Sequence, residues 1–123
     1  MNGNSAFLEG GHVGAGWEPI VKDLHERLVE LDPNYSIIQV KEKFGLLRFY
    51  FSASDEVFLA DDQAVINAMY NAVQEAEDLS ATTCEFCGAA GTMDQAHFWI
   101  KTLCEDCKDK RARERRVQGV PKV

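Results

Sequence analysis

The chain has 123 residues, 46% hydrophobic and 27% charged, enough apolar surface for a compact core. No apolar run approaches the length of a membrane span, and MNGNSAFLEGGHVGAGW has neither the basic start nor the apolar stretch of a secretory signal. A cytoplasmic protein with no membrane partner is expected. The net charge of −7 conceals a split: residues 108–123 carry seven Lys/Arg and two Asp/Glu (+5), and residues 1–107 carry six and eighteen (−12). An acidic body repels nucleic acid at long range, and its basic tail attracts it.

Residues 1–16 are glycine-rich and aperiodic, which predicts a flexible lead-in. GGHVGAG matches neither the dinucleotide nor the P-loop spacing, and no strand precedes it. From Trp17 a helical stripe begins: Trp17, Ile20, Val21, Leu24, Leu28 and Leu31 recur at three- and four-residue steps. Pro19 suits a first turn, and Asp32-Pro33 stops the helix.

YSIIQVKEKFGLLRFYFS predicts a β-hairpin. Ile38 and Val40 share a face of the first strand, and Leu47, Phe49 and Phe51 share a face of the second. Lys43-Phe44-Gly45 reads as a three-residue loop with glycine at positive φ. Lys41, Lys43 and Phe44 make this turn a candidate surface motif. Glu56 to Leu59 would supply a short third strand. A second helix is expected from about Asp61 to Leu79, capped by Asp61 or Asp62, with Val65, Met69, Ala72, Ala76 and Leu79 as its stripe and Val73 beside it. Spare apolar width on these stripes would allow a homodimer.

Cys84-x-x-Cys87 and Cys104-x-x-Cys107 stand sixteen residues apart. Each pair can present two thiolates to one tetrahedral ion, and the intervening segment can double back to join them. A disulfide framework suits a secreted chain, and a redox CxxC needs only one pair. The spacing therefore predicts structural Zn2+ held by Cys84, Cys87, Cys104 and Cys107, with no open position for catalysis. The expected fold class is α+β: a helix–hairpin–helix body over 17–80, a four-cysteine zinc-ribbon module over 84–107 and a basic helical tail over 108–123. Within the tail, Lys108, Lys110, Arg111, Arg113, Arg115 and Arg116 are candidates for phosphate or partner contacts. No aromatics are interleaved there to stack bases.

His97 is the one residue in this stretch with catalytic potential. CEFCG and AHFWIKTLCEDCK are similar to the frame of HNH-class nucleases. Ala96 stands where an Asp would precede the histidine and Lys108 where a His would follow the last cysteine, so a degenerate nuclease is a third reading. No nucleophile-elbow motif occurs, and all cysteines are committed.

The order GW, amphipathic helix, QVKEKFGLLRFYF, second helix, CEFCGAAG and WIKTLC resembles a family of small zinc-ribbon proteins of bacteria, prophages and phages, for which no activity is established. The resemblance spans Gly16 to about Cys107. It implies a non-enzymatic accessory protein in a bacterial or phage-infected cell. Such a protein would bind a host protein as inhibitor or adaptor, with nucleic-acid binding through residues 108–116 as the alternative.

Overall fold

The computed structural model describes residues 13–95 and 100–117, the side chains of 115–117 excepted. Among these residues the chain is α+β, with four α-helices and two small antiparallel hairpins. No described helix is long and apolar enough to cross a membrane.

A 3-10 turn over Ala15–Trp17 leads into α1 (Glu18–Leu31). Pro19 occupies its first turn, where a missing N–H costs nothing. Trp17, Ile20, Val21, Leu24 and Leu28 are buried along one stripe, as their spacing predicts. The helix ends at Asp32, whose N–H donates to the Leu28 carbonyl at 2.8 Å, and Pro33 bars continuation. The Asp32 carboxylate is buried and accepts from the Ser54 N–H at 2.8 Å. Asp32→Ala is expected to strand that amide and to lower stability by about 2 kcal/mol in denaturant unfolding. His25 lies on the same helix, its Nδ1 2.6 Å from the Tyr35 hydroxyl. Burial lowers the His25 pKa below 6.5, and nearby Glu26 offsets part of this. The unfolded chain therefore takes up this proton first. Stability tied to His25 is fully present above 6.5 and is lost as pH falls from there through the lower folded-state value. A His25→Gln chain should lose less thermal stability than wild type between about pH 7 and pH 5.

β1 (Ser36–Lys43) and β2 (Leu46–Ser52) form the first hairpin. Strict alternation would place Ile38 beside Val40 on the core face. A register shift between Ile37 and Gln39 turns Ile37 inward instead and leaves Ile38 60% exposed. Ile37, Val40, Leu47 and Phe49 are buried, with Phe51 packed at their margin. The loop is shorter than the predicted three residues: Phe44 and Gly45 alone connect the strands, with φ of 55° and 81°. Paired positive φ values belong to the type I′ turn, whose twist matches that of the flanking strands.

The segment expected as a third strand is helix α2 (Asp55–Leu59). Ser54 Oγ accepts from the Val57 N–H at 3.3 Å, and Asp55 and Glu56 lie at the positive end of the helix dipole. Local capping thus overrides the apolar run Val57-Phe58-Leu59.

Asp62 caps α3 (Gln63–Ser80) by accepting from the Val65 N–H at 3.3 Å. Met69, Ala72, Val73, Ala76 and Ser80 are buried, and Leu79 is 53% exposed, against the expected stripe. A period of 3.6 residues carries the stripe from Ala76 to Ser80, one residue beyond Leu79. Ser80 is suited to that place, because its Oγ donates to the Glu77 carbonyl at 2.6 Å and accepts from the Leu47 N–H at 3.0 Å. Glu77 Oε2 accepts from the Phe49 N–H at 3.0 Å. One turn of α3 therefore satisfies the outer edge of β2, and Ala72 and Ala76 let the helix approach α1 closely.

The second hairpin pairs β3 (Thr92–Asp94) with β4 (Lys101–Leu103) and runs into α4 (Glu105–Val117).

Candidate metal centre

The two cysteine pairs are held by different structures. Cys84 and Cys87 lie in a tight turn in which the Cys84 N–H donates to the Ala89 carbonyl at 2.7 Å and the Gly88 N–H donates to the Cys84 carbonyl at 2.9 Å. Gly88 closes that turn with φ of 86°, a conformation that disfavours any residue with a Cβ. Cys104 follows β4 directly, and Cys107 lies in the first turn of α4. The second pair thus sits at a strand-to-helix junction, with the Lys108 N–H donating to the Cys104 carbonyl at 2.9 Å.

These supports bring the four sulfurs within 4.8 Å of one another. Cys87 and Cys104 sulfurs are 3.5 Å apart, and the Cys107 N–H points at Cys104 Sγ at 3.4 Å. All four are free thiols, Cys84 buried and Cys87 exposed. Burial pushes Cys84 up, but the N–H groups of Cys104, Cys87 and Phe86 directed at its sulfur outweigh this and bring it down to about 6. Burial, reinforced by the neighbouring sulfurs, pushes Cys107 up to about 12. The Ala89 N–H favours the Cys87 thiolate, yet the Cys104 and Cys84 sulfurs hold it above its ordinary value. The crowded sulfurs thus disfavour ionisation of Cys87 and Cys107, and a cation at the centre of the quartet would favour their thiolate forms. The quartet is a candidate site for one metal ion.

The pairs also anchor the N-terminal strap. Residues 13–16 fall in the predicted flexible lead-in, yet Gly14 to Trp17 lie directly on the cysteine turn. The Gly16 N–H donates to the Glu85 carbonyl at 2.7 Å, and Trp17 Nε1 donates to the Thr83 carbonyl at 2.8 Å. Contact is so close that a Cβ on Gly16 would lie 2.1 Å from the Cys84 carbonyl oxygen. Gly14 and Gly16 of GAGW allow this close backbone approach.

Glu85, between the first two cysteines, is a residue that the pattern gave no reason to select. It is buried, with one carboxylate oxygen 3.2 Å from the Gly14 N–H and the other 3.2 Å from Lys101 Nζ. Its N–H donates to the Thr102 carbonyl at 2.9 Å. Lys101 also reaches Glu42 at 3.3 Å, and Thr102 Oγ1 donates to the Gly45 carbonyl at 2.6 Å. The cysteine hairpin, the β1–β2 turn and the strap thus meet at one buried acid. An acid inside CxxC looks solvated in one dimension, and only its long-range partners reveal its role.

The basic tail divides. Arg111 pairs with buried Asp94 at 3.2 Å, and Lys108 Nζ meets Thr92 Oγ1 at 2.5 Å, so both dock α4 on β3. Lys110 and Arg113 are exposed on α4. The side chains of Arg115 and Arg116, and the whole of His97, lie outside the described residues. At the β1–β2 turn, Lys43 and Phe44 are exposed and Lys41 is half-buried. A groove of about 650 Å³ between α1 and α3 is lined by Ile20, Leu24, Ala72, Ala76 and Leu79 and ends at Cys87. Arg27 and Glu75 on its wall pair with each other at 2.8 Å. Compared with known protein families, with curated proteins and with solved structures, the chain matches none.

Proposed function

We propose that the protein is a non-enzymatic zinc-binding accessory protein that acts by binding another protein. The convergence of four thiols within 4.8 Å carries this reading. Sulfurs about 2.3 Å from a tetrahedral zinc stand roughly 3.8 Å apart, so small side-chain shifts bring this quartet onto one ion. Four thiolate ligands leave no position for substrate or water. Zinc there supplies charge neutralisation and a cross-link between the cysteine turn and the start of α4.

The partner class follows from charge. Residues 1–107 carry −12, a surface suited to basic protein faces and able to occupy one that otherwise takes nucleic acid. The resemblance to proteins of phages and prophages supports a host protein as target, with this chain as inhibitor or adaptor. A second reading, nucleic-acid binding by the tail, is favoured by exposed Lys110 and Arg113.

Metal analysis of the purified protein should find one zinc per chain. Pull-down from bacterial lysate, with and without nuclease, should recover a protein that survives nuclease and survives truncation after Cys107. Recovery that requires nucleic acid and the tail would replace the first reading with the second.

A further inference from the structure

The outer face of the first hairpin carries an arrangement that the fold does not need. Gln39 pairs with Tyr50, Lys41 with Arg48 and Lys43 with Leu46, all on the face opposite the core-facing Val40–Phe49 and Glu42–Leu47 pairs. This face has three cations and no carboxylate, although residues 1–107 hold eighteen acids and only six bases. Lys41 directly opposite Arg48 is a like-charge cross-strand pair, which weakens a hairpin. Phe44 adopts φ of 55°, a conformation for Asn or Gly, while its ring stays 63% exposed. That conformation is strained for a residue with a Cβ. Tyr50 is also exposed, and the Lys41 and Lys43 ammonium groups lie 5.8 and 5.7 Å from the Tyr50 and Phe44 rings. Arg48 leans to Glu77 at 3.8 Å, at the edge of the face.

Size and chemistry narrow the ligand. A strand of eight residues is about 26 Å long, and two such strands make a narrow strip. That strip is small beside the roughly 800 Å² per partner of a stable globular interface. It suits an extended chain lying along it. The cations ask for a polyanion, and the two rings ask for flat groups to stack on. An acidic peptide satisfies only the first demand.

We propose that the outer face of the β1–β2 hairpin is a binding site for single-stranded nucleic acid. Bases stack on Phe44 and Tyr50, and phosphates meet Lys41, Lys43 and Arg48. This goes beyond the protein-binding reading, uses a different surface, and would make the molecule an adaptor with two faces of opposite charge.

The test is fluorescence anisotropy of the zinc-loaded full chain with a labelled oligothymidylate of about ten nucleotides. A labelled oligoglutamate of similar charge is run in parallel. Saturable binding to the oligonucleotide is expected, with a log–log salt slope of about −2 between about 50 and 200 mM. Phe44→Gly should weaken binding about fivefold or more, since one stacked base is worth roughly 1–3 kcal/mol. Its thermal midpoint should be unchanged or higher, because glycine relieves the positive-φ strain. Lys41→Gln with Lys43→Gln should reduce the slope by about 1.4. Lys110→Gln with Arg113→Gln should leave affinity within about twofold. Absence of oligonucleotide binding overturns the proposal. So does binding that depends on Lys110 and Arg113 but not on Phe44, or oligoglutamate binding of equal strength. The lysate pull-down reads the acidic body, so each proposal can fail without the other.

Discussion

With zinc in the proposed site, a Cys84→Ser chain is expected to lose the metal and, with it, the folded structure around both cysteine pairs. Cys84 is the fully buried member of the quartet, and three backbone N–H groups are directed at its sulfur. A serine hydroxyl is shorter, far less acidic and a poor partner for a soft ion, so the set falls to three ligands. Structural zinc sites contribute roughly 10–16 kcal/mol of apparent binding free energy, comparable with the whole stability of a small domain. Partial retention of a weakened site would still lower stability by several kcal/mol. The damage should spread beyond the cysteine turn, because Glu85 beside Cys84 holds Gly14, Gly16, Thr102 and Lys101. Trp17 should gain solvent, which a red shift of its emission in a Trp99→Phe background would report. Chelation of the wild-type protein should lower the thermal midpoint, whereas the variant's midpoint should not respond to chelator. A variant that keeps one zinc and its full midpoint would falsify the structural role of the site.

Gly16→Ala is expected to lower stability by about 3 kcal/mol, a large loss for the addition of one methyl group. The new Cβ would lie 2.1 Å from the Cys84 carbonyl oxygen, 2.5 Å from the Gly88 nitrogen and 2.7 Å from the Glu85 carbonyl oxygen. All three are backbone atoms of the turn that carries Cys84 and Cys87, so no flexible side chain can move aside. The strap must lift, losing the Gly16–Glu85, Gly14–Glu85 and Trp17–Thr83 hydrogen bonds. At about 1 kcal/mol net for each, these losses set the estimate, and overpacking adds to it. Equilibrium urea unfolding of the zinc-loaded variant checks it. An Ala15→Ser control should change little, because Ala15 is exposed. Zinc affinity of Gly16→Ala should also fall, since the strap and the cysteine turn stabilise each other. A loss below about 1 kcal/mol would show that the strap is not rigidly held.

Several features needed only local information. Three- and four-residue spacing marked α1 and most of α3. Asp32-Pro33 marked a stop, and two CxxC pairs marked the thiols that converge. These signals depend on chain geometry within a few residues, which side-chain type reports directly. Ile38 and Leu79 show where that breaks down. Alternation assigns Ile38 to the core face and a three-residue step assigns Leu79 to the stripe, yet a bulge displaced the first and the 3.6-residue repeat passed over the second for Ser80. Residues 56–59 show a strand-like apolar run overruled by the Ser54 cap.

By itself the amino-acid sequence determined the α+β class, the helical stripes, the hairpin and the four clustered cysteines, because periodicity and ligand spacing are local. Tertiary structure alone decided that Gly14 and Gly16 pack on the cysteine turn, that Glu85 is a buried junction, and that Lys108 and Arg111 brace α4 instead of projecting from it. Those roles come from partners as far as 71 residues away in the chain, and neither composition nor spacing encodes which surfaces meet.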